Sequence, residues 1–306
     1  MNFLDRRIHL VTGKGGVGRT TVAVALAHAA ARAGRRVLLA EIGDREGGYS
    51  AIGRKFGREY LTPEPEPLAE GIMGCHLWAI RGHELFVRSV IPAGPLIKAA
   101  LASKPLRKFL VAAPSLHEMG VLYHILSLLK QKDERGRPRH EVFIVDMPAT
   151  GHTLALTSLP AIILNLLPVG PMARAMREGQ SYLNDPANGA AWVVTLPEQL
   201  PVSEALELLD GLRSTEMPAG GVILNRMPEN PFTDEERDAL ELLLDETPMH
   251  GEIAFQRIGS AEVSSTRLKQ ETSVPVWELP EILGPKDEEP AFSLADFLAP
   301  LIASTS

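Results

Sequence analysis

Short apolar runs alternate along the chain with longer segments of helical periodicity, a pattern typical of a parallel sheet covered by helices on both faces. An Ala-rich helix is expected from Thr20 to Ala33, ended by Gly34. The sequence therefore predicts an α/β fold with a mostly parallel sheet of about seven strands. The predicted strands are Ile8–Thr12, Val37–Ile42, Leu77–Ile80, Val142–Val145, Ala191–Thr195, Gly221–Leu224 and Val274–Leu279.

Helical periodicity also fills the stretch from Gly82 to Gln131, which is longer than an ordinary connection between strands. We interpret it as a helical subdomain inserted at about 82–131, which residues 155–182 could join. Pro63–Pro67 reads as a stiff exposed spacer. The uncharged stretch Thr153–Ala173 is divided by three prolines, so a buried helix or the floor of an apolar groove is favoured over a membrane span.

The amino-acid composition argues against several classes of function. The net charge of −7 and pI near 5.8 argue against a nucleic-acid-binding protein. The single cysteine, Cys75, excludes a disulfide or a Cys-rich metal site within one chain. The first residues lack an apolar core of signal-peptide length, so a cytoplasmic location is expected.

The strongest chemical signal is the glycine-rich segment between the first strand and the first helix. It comprises Gly13, Lys14, Gly15, Gly16, Val17, Gly18, Arg19, Thr20 and Thr21. Glycines let successive backbone N–H groups converge on an anion, and the helix N-terminus adds partial positive charge. Thr20 occupies the position whose hydroxyl would hold Mg²⁺. The segment therefore predicts a phosphate-binding P-loop.

A dinucleotide-binding loop is the alternative, since Gly13, Gly15 and Gly18 also satisfy G-x-G-x-x-G and Glu41 ends the second strand where a ribose-binding acid belongs. Such a site, in an NAD-dependent oxidoreductase, has no use for Lys14 or for Thr20. This alternative also leaves the segment after the fourth strand unexplained.

That segment runs from Asp146 to Leu154. An aspartate that ends an apolar strand is the Walker B arrangement, which orders the Mg²⁺ shell beside the β- and γ-phosphates. Gly151 supplies a backbone N–H able to sense the γ-phosphate, in a loop free to switch.

These motifs resemble the deviant Walker A ATPases, in particular the arsenite-pump and tail-anchored-protein-targeting branch. Lys14 resembles the signature lysine of that class, and Asp146–Leu154 looks like its switch II. Three further segments fit the branch: Leu77–Ile80, Thr195–Glu198 with Pro201–Glu204, and Leu224–Arg226.

The resemblance implies a single P-loop ATPase domain over residues 1–285 and a C-terminal tail or helix over 286–306. It implies ATP and Mg²⁺ as cofactors, with Asn225 and Arg226 near the adenine. It also implies an ATP-bound dimer in which Lys14 of each subunit reaches the phosphates held by the other.

Two departures from the family pattern fall on the chemistry. Arg19 replaces the Walker lysine, and a planar guanidinium does not sit as an ammonium does. Gly43 takes the place of the switch I aspartate that orients the attacking water, and Asp44 follows one residue late. Loss of a water-positioning group costs on the order of 10²-fold in rate. We therefore expect nucleotide binding but weak hydrolysis by this chain alone.

The surviving Lys14 suggests that the chain works as the activating half of a heterodimer with a competent paralogue, in preference to a homodimer. A non-enzymatic pseudo-ATPase scaffold is the alternative. An apolar protein client could bind a groove lined by residues of two predicted helical segments: Leu96, Leu101, Leu106, Phe109, Leu110, Ile162, Ile163, Leu166 and Leu167.

Overall fold

The structure is a computed structural model that describes residues 2–43, 48–90, 114–148, 150–166, 168–246, 250–283 and 290–304. The strands are β1 (Ile8–Gly13), β2 (Val37–Gly43), β3 (Glu66–Ala69), β4 (Ile72–Trp78), β5 (Val142–Asp146), β6 (Gly189–Thr195), β7 (Ala219–Met227) and β8 (Val276–Pro280). The α-helices are α1 (Arg19–Arg32), α2 (Ala51–Lys55), α3 (Ala79–Val90), α4 (Pro114–Leu129), α5 (Thr150–Leu166), α6 (Pro171–Leu183), α7 (Gln199–Ser214), α8 (Asp234–Glu246), α9 (Glu252–Glu271) and α10 (Pro290–Ala303).

The eight strands of the described chain form one sheet in the order β3-β4-β2-β5-β1-β6-β7-β8. All neighbours are parallel except β3 and β4, which pair antiparallel at one edge. The predicted α/β class and mostly parallel sheet are confirmed. The carboxyl ends of the parallel strands all lie at the same end of the sheet, and the glycine-rich loop and Asp146 both lie there.

Two predictions around the sheet edge are wrong. The segment Pro63–Pro67 is not only a spacer, because β3 begins at Glu66 and contributes the eighth strand. Proline is tolerated there because β3 is an edge strand with one unpaired side. The strand predicted at Leu77–Ile80 is β4, which runs from Ile72 to Trp78 and passes directly into α3. Its polar His76 interrupts the apolar run that sequence inspection depends on.

Each face of the sheet packs against helices. On one face, alternate residues such as Leu39 and Ile144 pack with α1 and α10 in one core cluster. On the other face, Leu38 and Phe143 pack with α4, α5 and α7 in a second cluster. Full burial of an aliphatic or aromatic side chain contributes about 1.5–3 kcal/mol, so these two layers hold the strand ends in fixed register.

The C-terminal helix α10 packs along α1. Its inward residues Ala291, Leu294, Ala295, Leu298 and Ile302 are buried in the same cluster as the α1 side chains. Arg32 of α1 also pairs with Asp296. The helix that starts at the glycine-rich loop is therefore covered by the last helix of the described chain.

Helices α3 and α4 cross with their backbones in contact. A Cβ at Gly82 would overlap the carbonyl oxygen of Gly120, and one at Gly120 would overlap the backbone of Ala79. The buried imidazole of His83 adds a hydrogen bond of 2.6 Å to the carbonyl of Leu116. Both helices fall within the predicted helical insertion at 82–131, of which residues 91–113 lie outside the described residues. Among the described helices, none is long and apolar enough to cross a membrane.

Candidate functional site

The loop from β1 to α1 owes its shape to three glycines with positive φ, Gly13 (148°), Gly16 (87°) and Gly18 (91°). A Cβ at Gly13 would overlap the carbonyl oxygen of Val194. By contrast, a Cβ at Gly15 or Gly16 would meet no atom within 4 Å. The loop is thus packed against the protein below and open above, as a cradle for a ligand must be.

Asn225, at the carboxyl end of β7, fixes the loop from the side. Its buried side-chain amide donates a hydrogen bond of 2.8 Å to the carbonyl of Val17. A Cβ at Gly18 would overlap the same amide. Gly18 is also the N-cap of α1 and has no side chain to satisfy the first-turn amides. These amides and the helix dipole favour an anion at this position.

Thr20 and Asp146 meet at the base of this cradle. The Thr20 hydroxyl donates to Oδ2 of Asp146 at 2.6 Å. Burial raises the pKa of Asp146 to about 6, against the opposing effects of the Thr20 hydrogen bond and the charge of Arg19. The charge of Glu41, its register partner on β2, adds to the increase. A buried carboxylate beside a hydroxyl is the hard oxygen donor set that Mg²⁺ prefers.

The two cations of the loop point in different directions. Nη1 of Arg19 donates to the carbonyl of Met147 at 2.7 Å, so the guanidinium holds the chain just after Asp146. Nζ of Lys14 lies 2.6 Å from Oε1 of Glu204 on α7, with 56% of the lysine side chain exposed. Lys14 is therefore an accessible cation at the rim of the site.

Gly151, predicted in a switching loop, lies in the first turn of α5 with open space around it. The same helix is tied to the end of β1 by a 2.8 Å hydrogen bond between the buried hydroxyls of Thr12 and Thr153. On its exposed side, Nδ1 of His152 lies 3.7 Å from Oε1 of Glu118 on α4. The segment after Asp146 thus contacts both the phosphate loop strand and the helical insertion.

A cavity of about 250 Å³ adjoins the loop on the β7 side. Thr21 and Asn225 line it together with Arg226, an exposed residue with φ 60°. Pro280 and Leu294 form the opposite wall. The predicted ligand residues at the end of β7 therefore share one pocket with the first turn of α1.

The end of β2 differs from what the family pattern requires. Gly43 is its last residue, and a Cβ there would overlap the imidazole ring of His76. Asp44, the substitute considered for the switch I aspartate, lies outside the described residues.

The dinucleotide-binding alternative is wrong. In the fold that carries it, the first and second strands are neighbours, whereas β1 lies between β5 and β6. Glu41 is also unavailable as a ribose ligand, because its carboxylate accepts hydrogen bonds from the Ser50 hydroxyl and from the amides of Ala51 and Ile52. It serves as an anchor for the start of α2.

Sequence inspection missed several of these contacts. Glu204 was visible only as part of the Pro201–Glu204 segment, and nothing in its spacing indicated Lys14 as its partner. Thr12 and Thr153 lie 141 positions apart, so their hydrogen bond depends on the packing of α5 on β1. His76 gives no local signal, because its position over Gly43 follows only from the pairing of β2 with β4.

The predicted phosphate and Mg²⁺ residues therefore converge at one edge of the sheet, and the residues present fit such a ligand. The room above Gly15 and Gly16 suits a phosphate, and the Thr20–Asp146 pair suits a hard cation. Within the described ranges, no cluster of three or more His, Cys, Asp or Glu residues suggests a second kind of metal site.

This strand order and loop define a P-loop nucleotide-binding protein. Residues 8–265 match the CobQ/CobB/MinD/ParA nucleotide-binding domain, and the chain belongs to that family. The chain is 30% identical to ATPase BagA of Mycobacterium tuberculosis over 226 residues, which are 72% of this chain and 65% of BagA. It therefore spans slightly less than two thirds of that relative's length.

Two other relatives widen the comparison. ATPase get3 of Botryotinia fuckeliana is 28% identical over 217 residues, covering 69% of this chain and 57% of the relative. The chromosome-partitioning ATPase Soj of Thermus thermophilus is 42% identical over 76 residues, covering 24% and 30% of the two chains. The similarity to ATPases of this class thus extends over most of the chain.

The predicted apolar groove is described only in part. On α5, Ile162 and Leu166 are 46% and 71% exposed, while Ile163 is buried in the core. Leu167 and the five predicted groove residues between 96 and 110 lie outside the described residues. Ile163 therefore serves helix packing rather than an open surface.

Proposed function

We propose that this chain is an ATP- and Mg²⁺-binding subunit of the arsenite-pump and tail-anchored-protein-targeting branch, in which the bound nucleotide controls association with a partner. The contact that carries the proposal is the 2.6 Å hydrogen bond between Thr20 and Asp146 at the base of the open glycine loop. The similarity to ATPase get3 over 69% of the chain supports the choice of branch.

Each element of the site has a part in this proposal. The backbone amides of Gly15–Thr21 would bind the phosphates, because the loop is open on that side. Thr20 and Asp146 would hold Mg²⁺, which supplies charge stabilisation on the phosphate oxygens when bound. The cavity beside Asn225 and Arg226 would take the base.

We further propose that hydrolysis by the chain alone is weak. Arg19 donates a hydrogen bond to the carbonyl of Met147, so its guanidinium is engaged with the backbone after Asp146. Gly43 offers no carboxylate to a water molecule. The exposed Lys14 stays available to act across an interface, which favours a heterodimer with a paralogue that carries the lysine and the aspartate.

Titration calorimetry with ATP tests the binding proposal, and each titration is run with Mg²⁺ and with EDTA. We expect saturable binding to one site per chain that weakens when Mg²⁺ is removed. Thr20→Val should lower the Mg²⁺-dependent affinity by about 10- to 100-fold. Thr266→Val is the matched control, because Thr266 is exposed on α9 and belongs neither to the loop nor to the cavity. Absence of ATP binding to the wild-type chain would refute the proposal.

Turnover measurements test the pairing. The purified chain should hydrolyse ATP slowly, and adding a paralogue with an intact Walker lysine should raise the rate well above the sum of the two separate rates. The engaged guanidinium of Arg19 also favours a second function, a nucleotide-binding scaffold without turnover. That function would give ATP binding with no hydrolysis in either the single chain or the mixture.

A further inference from the structure

The space above Gly43 is filled by a side chain from the neighbouring strand. A Cβ built on Gly43 would overlap the imidazole of His76 and lie only 2.6 Å from Cδ2, the farthest of three ring atoms. An aspartate at position 43 is therefore incompatible with His76 in this position. The glycine on β2 and the histidine on β4 form a matched pair.

Strand register explains how the ring reaches this place. Glu41 of β2 pairs with His76 of β4 on one side and with Asp146 of β5 on the other. Residues in register on adjacent strands share one face of the sheet. His76, Glu41 and Asp146 thus form a polar row across three strands, on the face that carries α1 and the glycine loop.

The imidazole is buried beside a fixed carboxylate. His76 is 3% exposed, and its Nε2 lies 3.9 Å from Oε1 of Glu41. Glu41 is fixed in turn by the Ser50 hydroxyl and by two amides of α2. The backbone N–H of His76 donates to the carbonyl of Thr62 at 2.7 Å. A polar ring whose neighbours are this constrained has a defined orientation beside Gly43, at the end of β2.

We propose that His76 takes over the place of the missing switch I aspartate and acts as a positioning residue for water at the phosphate site. An imidazole nitrogen can accept or donate a hydrogen bond, so it can orient a water molecule as a carboxylate does. This inference rests on the proposed ATP site. On this proposal, a side chain from β4 replaces one that β2 has lost. The glycine at position 43 then leaves room for the ring of His76.

The first test measures the exchange through stability and needs no nucleotide. Gly43→Asp alone should lower the melting temperature by roughly 5 °C, because the new side chain and the ring compete for one space. In the double variant Gly43→Asp/His76→Ala, most of that loss should disappear relative to His76→Ala alone. Equal losses in both backgrounds would show that the two positions are independent and would overturn the proposal.

The second test separates positioning from space filling by single-turnover hydrolysis with protein in excess over ATP. His76→Phe keeps a flat aromatic ring but removes both nitrogens, and it should lower the rate about 10-fold or more. The affinity for ATP and Mg²⁺ should stay within about twofold. His76→Gln, which places an amide near the position of Nε2, should recover part of the rate.

His140→Phe is the matched control, because this buried histidine precedes β5 at the opposite end of the sheet. If His76→Phe hydrolysed ATP at the rate of the wild type, the ring of His76 would only fill space, and the inference would be refuted. Wild-type protein that binds ATP without any turnover would refute it too, since no reaction would remain for His76 to assist. Failure of the wild type to bind ATP would instead refute the proposed function.

Discussion

Two neighbouring strand ends in this site differ in chemistry. At the end of β5, Asp146 is buried and hydrogen-bonded to Thr20, as a Mg²⁺ site of the P-loop class requires. At the end of β2, the aspartate implied by the family resemblance is replaced by Gly43 with a ring from β4 above it. The difference separates two tasks. The Thr20–Asp146 pair follows the family pattern, whereas the residue at the position that would orient the attacking water has changed.

Variants of the two loop cations test this separation with the largest expected effect. In the mixture with a competent paralogue, Lys14→Ala should lower hydrolysis by about 10²- to 10³-fold, because the cation proposed to act across the interface is lost. Arg19→Ala should lower it less than about threefold, since its guanidinium is hydrogen-bonded to the Met147 carbonyl. Steady-state phosphate release measures both. Equal losses would contradict the division between kept and altered positions.

The carboxylate of Asp146, the proposed Mg²⁺ ligand, should give the next largest effect, and its removal should change ligand binding and protein stability in opposite directions. Asp146→Asn should weaken Mg²⁺-dependent ATP binding by about 10- to 100-fold in calorimetry. Burial raises the folded-state pKa of Asp146 to about 6, so above that pH the empty protein bears the cost of a buried charge. The same variant should therefore stabilise the nucleotide-free protein at pH 8, by about 1–3 kcal/mol in urea unfolding.

Asp133→Asn is the control for that variant, because Asp133 lies in an exposed turn outside the site. Its carboxylate accepts a hydrogen bond from Arg137. It should leave ATP binding unchanged. If Asp146→Asn destabilised the empty protein at pH 8, the carboxylate would have a structural role that its burial does not reveal.

A fall in pH should lower the stability of the folded protein through His9 in the core, whereas it removes the cost of the buried Asp146 charge. Burial lowers the pKa of His9 to about 3, and its Nδ1 accepts a hydrogen bond of 3.0 Å from Trp192. Below pH 6.5 the unfolded chain binds a proton that the folded chain refuses, so stability is lost as the pH falls. Each unit costs about 1.4 kcal/mol for such a group.

His9→Asn keeps an acceptor for Trp192 and removes the titrating group. Its free energy of unfolding should therefore fall less steeply between pH 6.5 and 5 than that of the wild type, as measured by urea titration at each pH. An unchanged slope in His9→Asn would mean that His9 binds a proton as readily in the folded protein as in the unfolded chain.

The smallest effect is expected at the rim. Glu204→Gln removes the ion pair with Lys14, whose side chain is 56% exposed, and should change stability by less than about 1 kcal/mol in thermal unfolding. Its effect on activity in the mixture should be at most severalfold, because Lys14 keeps its charge. A loss as large as that of Lys14→Ala would place Glu204 within the site.

The sequence predicted the parallel sheet, the glycine loop and the Asp146 strand because each leaves a local pattern of apolar runs, turn residues and helix starts. It did not predict β3, since prolines normally exclude strands and only the edge position tolerates them here. It also missed the contacts of Glu204 and of His76. These depend on helix packing and on strand register, which bring together residues distant in the chain.

The close crossing of α3 and α4 has a mechanical consequence. With Gly82 set against Gly120, no side chains lie between the two backbones to absorb a displacement by changing rotamer. Since α3 continues directly from β4, a shift at the strand end beside His76 would carry both helices along as a single rigid lever. The strand that carries His76 is thus joined directly to the two close-packed helices of the insertion.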